Sequence, residues 1–162
     1  MKLAILAVAL ATACGSAPDA ESQATPDTAA APAAQTVSSG PKACDLVSAE
    51  DVRRSSGVEV RPGITTHDYG GASQCRFDTA TGEAFLIVTL HTEGRIDPYQ
   101  KVPGSVAVDD LGDSAVWSES NAQLAVRNGT SVFSISFLKT PAQKQWATKL
   151  AAGALAKLKQ VG

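Results

Sequence analysis

The chain has 162 residues, a formal net charge of -2, 44% hydrophobic and 19% charged residues, which bounds it to one globular domain and excludes a second. A pI near 5.6 excludes the strongly basic field that drives sequence-independent phosphate binding, so nucleic acid is not an expected partner. Two His and three Cys are few for a dense metal cluster or redox centre, and neither a metal nor a cofactor is expected.

Residues 1–13 read as an export signal: Lys2, the apolar run from Leu3 to Ala11, then the small residues Thr12 and Ala13 before Cys14. The run is far shorter than the roughly 20 apolar residues a helix needs to span a bilayer. Leu10-Ala11-Thr12-Ala13-Cys14-Gly15-Ser16 resembles the lipobox of bacterial lipoproteins, although the large aliphatic residue usual three places before the cysteine is Ala11 here. The resemblance implies that the Cys14 thiol carries diacylglycerol and that Cys14 becomes the first mature residue, anchoring the protein to a membrane. It also implies the cell envelope, and the outer membrane in a Gram-negative host, because Gly15 rather than Asp follows the cysteine. The alternative is a plain secreted protein cut after Ala13 or Ala17.

Between Cys14 and Pro41 the chain is almost wholly Ala, Pro, Ser, Thr, Gln, Gly and Asp, with Val37 its only larger aliphatic residue. Such a segment buries too little apolar surface to offset chain ordering, and residues 14–41 are read as a tether stiffened locally by proline. Residues 42–162 are the folded domain. Charge separates within it: residues 120–162 contain Arg127, Lys139, Lys144, Lys149, Lys157 and Lys159 and no acid. The charges form either a solvated lysine face or an anion-binding or membrane-facing patch.

With Cys14 given to lipid, Cys44 and Cys75 are the remaining thiols in an oxidising compartment and are expected to pair. Ser48-Ala49-Glu50-Asp51 has the form of a capping box, with Val47 and Val52 as a staple and Gly57 as a left-handed stop, which predicts a short helix over 49–56. Val58 to Thr65 reads as a strand, Asp68-Tyr69-Gly70-Gly71 as a turn, and Ser73 to Asp78 as an alternating strand. Thr81-Gly82 reverses the chain into 84–90, which is apolar on both parities and suits either a central strand covered on both faces or one whose outer face lies under a helix. Residues 92–114 show little periodicity beyond Val106-Ala107-Val108. Asn128-Gly129 predicts a two-residue hairpin loop pairing Arg127 with Thr130 and Leu124 with Phe133, which puts Phe133, Ile135 and Phe137 on one face with Leu124 and Val126. Thr140-Pro141 starts a helix whose Trp146, Ala147, Leu150, Ala151, Ala154, Leu155 and Leu158 recur at helical spacing; the stripe is expected to lie on the sheet, the alternative being an amphipathic membrane helix.

The expected fold is therefore α+β: an antiparallel sheet packed by a short N-terminal helix and a long C-terminal helix. The segments Cys44 to Val52, Cys75-Arg76-Phe77 and Val108 to Trp117 together resemble small bacterial lipoproteins of unknown function, of the actinobacterial secreted type. Several of these are similar to the Mog1/PsbP-like sandwich, a two- or three-layer fold. The resemblance carries no catalytic residues.

Candidate chemistry is sparse. Asp109, Asp110 and Asp113 offer oxygens but lack the ligand spacing of a calcium loop, and a polar turn into a 115–118 strand is the competing reading. His91 and Glu93 share a strand face by period two without a third ligand. His67-Asp68 beside Tyr69 reads as loop polarity. No nucleophile elbow, phosphate loop or dinucleotide fingerprint occurs. Two functions follow: a non-catalytic, lipid-tethered binding or sensor-like module for an envelope protein, glycan or small ligand, with Tyr69, Tyr99 and Trp117 as candidate aromatic contacts, or an envelope hydrolase with an unrecognised site around His67 or His91.

Overall fold

The computed structural model describes residues 40–138 and 144–161. Helix α1 (Ala43–Leu46) is followed by α2 (Ala49–Ser56), whose start is fixed by reciprocal bonds between Ser48 and Asp51 and whose end is Gly57 in the left-handed conformation, φ 75°. The predicted helix over 49–56 matches α2 to the residue.

The strand expected over 58–65 is displaced. Strand β1 runs Ile64–Tyr69, and before it only Val60 makes an isolated bridge, to Thr79. Pro62 lacks the N–H a ladder needs. At Gly63 a β-carbon would sit 2.5 Å from Cys75 Sγ and 2.9 Å from the Phe77 ring, so the backbone here packs onto the core. The turn accordingly contracts to Gly70-Gly71, both at positive φ, between the paired residues Tyr69 and Ala72.

Strands β2 (Ala72–Asp78) and β3 (Ala84–His91) complete the first meander. The chain then passes through the one-turn helix α3 (Asp97–Gln100) into β4 (Ser105–Ala107), β5 (Ser114–Ser118), β6 (Gln123–Asn128) and β7 (Ser131–Phe137). The seven strands form one antiparallel sheet in the order β1-β2-β3-β7-β6-β5-β4. Because β3 and β4 lie four positions apart, the 92–104 connection crosses the sheet, and it does so on the face opposite the long helices. Helix α4 (Lys144–Val161) ends the chain; its expected start at Thr140-Pro141 lies outside the described residues.

The main core lies between α1, α2 and α4 and one sheet face. Leu86, Val88 and Leu90 of β3, Leu124 and Val126 of β6, and Phe133 and Ile135 of β7 are almost fully buried there, with Ala147, Leu150, Ala151 and Ala154 of α4 above them. At about 25 cal/mol per Å² of apolar surface removed from water, this helix face is a principal source of stability. The Cys44 and Cys75 sulfur atoms are at bonding distance, 2.07 Å, joining α1 to β2 beside the Ala43 N–H to Ser73 Oγ bond of 2.8 Å.

The β6–β7 hairpin has the expected faces but another register. Leu124 pairs with Ile135, Val126 with Phe133 and Asn128 with Ser131, so the loop is Gly129-Thr130. A slip of two residues preserves every side-chain direction, which is why the face assignment survives. The Asp113 carboxylate accepts the Gly129 N–H at 2.7 Å and clamps the loop there.

Candidate functional site

The second sheet face is covered unevenly. Over β5, β6 and β7 the crossing connection lays Ile96 and Tyr99 on Val116, Ala125 and Val132, a small satellite core. Over β1, β2 and β3 none of the described helices packs on this face. Strand pairing aligns three rows of side chains across it: Tyr69, Ala72, His91 and Val132; His67, Gln74, Thr89 and Ser134; Ile64, Arg76, Ile87 and Ser136. Alternation along each strand turns these rows away from the main core; they mix polar residues with Ile64, Ala72 and Ile87, and on β7 Val132 is already covered by the crossing connection.

The open face is dominated by neutral hydrogen-bonding groups that bridge strands. Thr66 Oγ1 donates to Gln74 Oε1 at 2.8 Å and Gln74 Nε2 reaches Thr89 Oγ1 at 3.4 Å, while on the β6–β7 half Gln123 Nε2 donates to Ser136 Oγ at 2.8 Å. Arg76 is paired with Asp78 through Nε and Oδ1 at 2.9 Å, neutralising the cation in the middle of the face. Along the β1 edge, where an extra residue bulges the strand between Thr65 and His67, the His67 and Tyr69 rings lie 3.7 Å apart between centroids. Tyr69 is 61% exposed and Ile64 49%. At one end of the face a depression of about 380 Å³ is lined by Gly70, Gly71, His91, Thr92 and Glu93.

The sequence candidates distribute as follows. Tyr69 alone of the three aromatic candidates is largely exposed; Trp117 is buried on the core side with its Nε1 donating to Glu119 at 2.7 Å, and Tyr99 packs into the satellite core. His67 and Asp68 point to opposite faces, and Asp68 is paired with the Lys42 ammonium group in the helix layer, so they form no acid–base unit. Strand β3 ends at His91, which moves Glu93 from the predicted strand into a turn; both still line the depression, where Thr92 Oγ1 is committed to the Gly71 carbonyl at 3.1 Å. Asp113 is consumed by the hairpin clamp, and Asp110 takes a left-handed turn conformation, φ 61°.

Among the described residues no three of His, Cys, Asp and Glu group closely enough to hold a metal ion, and no helix is long and apolar enough to cross a membrane. Cys14 lies outside the described residues. The polar face was not singled out from sequence as a site, although two signals were present: the alternation of Gln74, Arg76 and Asp78 with Cys75 and Phe77, and Ser134 and Ser136 opposite the hairpin's apolar face. No protein-family model, curated protein or solved structure matches the chain.

Proposed function

We propose that the protein is a non-catalytic binding module of the cell envelope, held by lipid on Cys14, whose ligand face is the open side of β1, β2 and β3. One observation carries this reading: Thr66, Gln74 and Thr89 form a bridged array of hydroxyl and amide side chains, with the Arg76 charge paired beside it, bordered by the half-buried His67 ring and the exposed Tyr69 ring. Neutral donors and acceptors with a flat ring beside them suit a polyhydroxylated ligand, since hydroxyls can exchange bonds with the amides while a sugar's C–H face rests on Tyr69. The finer fold assignment, a Mog1/PsbP-like sandwich, is proposed on the same footing and is supported by the short helix joined to β2, the antiparallel sheet and the terminal helix laid across it.

The hydrolase alternative draws on the depression holding His91 and Glu93, but Thr92, the hydroxyl residue lining it, is already donating to a backbone carbonyl. The test is a binding screen of the full chain against envelope glycans, repeated with Tyr69→Ala and Gln74→Ala. Binding that falls at least tenfold in both variants supports the assignment; glycan binding untouched by either, or hydrolysis of a bound glycan, overturns it. Acylation is tested separately by radiolabelled palmitate, which should enter the wild-type protein and not Cys14→Ala.

A further inference from the structure

The helix layer bears a charge pattern that the open sheet face does not explain. Helix α4 contains Lys144, Lys149, Lys157 and Lys159 and no acid, while α2 contributes Arg53 and Arg54 against Glu50 and Asp51. Lys157 is spent on Asp51, at 2.8 Å. Lys144, Lys149 and Lys159 are exposed and make no ion pair among the described residues, so the layer presents uncompensated positive charge. The residues between them on the solvent arc include Ala152, Gly153 and Ala156, which raise no bulk that would hold a flat surface away. Between the helices a groove of about 250 Å³ is lined by Lys149, Leu150 and Gly153 on one side and by Ser55 and the paired Arg54 and Asp51 on the other.

The chain enters the domain at Lys42, immediately before α1, and α1 packs on α4, so the preceding segment joins the domain in this same layer.

We infer that the outer face of α4 docks on an anionic phospholipid surface, with lipid phosphates against Lys144, Lys149 and Lys159. Resting on the lipid-anchored reading, this orients the protein: the helix layer lies on the membrane and the β1–β3 face is turned away from it. Charge complementarity selects the occupant, because an acid-free helix with three unpaired lysines matches a negatively charged plane and gains little from an uncharged one. The contact weakens with salt, since exposed charges are screened over about 10 Å at 0.1 M ionic strength.

The test uses the full chain carrying Cys14→Ala, so that no acyl chain contributes, and phosphatidylcholine vesicles with or without phosphatidylglycerol. Any pull from the apolar N-terminus is common to both vesicles; the quantity read is the preference for the anionic one. Each lysine near the surface is worth about fivefold in partitioning, so the triple variant Lys144→Gln, Lys149→Gln, Lys159→Gln should lose on the order of a hundredfold of that preference. A control with Arg95→Gln, Lys101→Gln and Arg127→Gln removes the same charge elsewhere and should retain it. Equal binding to both vesicles, or equal loss in the two triple variants, overturns the inference. Palmitate labelling of the wild type decides the anchor independently, so failure of one reading is not mistaken for failure of the other.

Discussion

The Asp51 carboxylate serves three residues at once, Ser48, Arg54 and Lys157. Burial raises the cost of its charge, but hydrogen bonds from Lys157 Nζ and from the Ser48 side chain and backbone outweigh that cost and lower its pKa from 3.8 to about 2. A carboxylate depressed on folding contributes stability that is complete above its unfolded pKa and is lost as pH falls through the folded one. The window for Asp51 is therefore from about pH 4 down to about pH 2. Asp51→Asn should cost about 1–2 kcal/mol near neutrality, allowing for solvent screening at this partly exposed site, and the gap to wild type should close toward pH 2. Urea unfolding at pH 7 and pH 2.5 measures both. Glycines at comparable φ values behave differently at this scale. Gly57 faces open space, and Gly57→Ala should cost only about 1 kcal/mol for its left-handed conformation. At Gly112, φ 61°, a β-carbon would be driven into the Arg127 carbonyl oxygen and the Val126 side chain, so Gly112→Ala should cost at least about 3 kcal/mol by the same measurement.

At the scale of elements, the sequence disclosed what depends on periodicity and concealed what depends on where a loop travels. Helix α2 was legible because its capping box and left-handed stop are local, and the α4 stripe because one apolar face recurs from Trp146 to Leu158, over more than three turns. The β6–β7 faces were legible while their register was not, because the register is set by Asp113, fifteen residues before Asn128, reaching the loop from outside the hairpin. The 92–104 connection was opaque for the same reason: its role comes from crossing three strands, which no local pattern encodes. That crossing created the candidate site, since it covers one half of the outer sheet face and leaves the other half open. Ile96 is its main anchor, 6% exposed against Val116, Ala125 and Val132, and at Gly94 the chain runs so close to β7 that a β-carbon would lie 2.7 Å from Val132 Cβ. Ile96→Ala should cost about 2 kcal/mol, at the low end for a core isoleucine because the satellite cluster is small. Native-state hydrogen exchange should show amides of 96–104 opening much faster while those of β3 and β7 slow-exchange as before.

For the whole molecule, the contact between α1 and the sheet decides whether the helix layer acts as a single platform. Helix α1 is only four residues long and has no intrinsic stability in isolation. It is held by Ala43 and Leu46 in the core, by the Ser73 hydroxyl on its first N–H, and by the Cys44–Cys75 link across 31 residues of chain. A covalent loop of that size removes unfolded-state freedom worth about 3–4 kcal/mol in the chain-entropy model, a large part of the total for a domain this small. Reduction should therefore lower the thermal midpoint by roughly 10–20 °C, and Cys44→Ser with Cys75→Ser should reproduce the reduced protein rather than add to it. Scanning calorimetry with and without reductant measures the shift. The second expectation is positional: once the link opens, α1 loses its staple to β2, so His67 and Tyr69 on the neighbouring edge strand β1 should loosen before the α4–β6–β7 core does. If the proposed face binds glycan, loss of that binding at temperatures where the reduced domain still holds its core would tie the face to the cystine, whereas simultaneous loss would show that α1 is not a separable support.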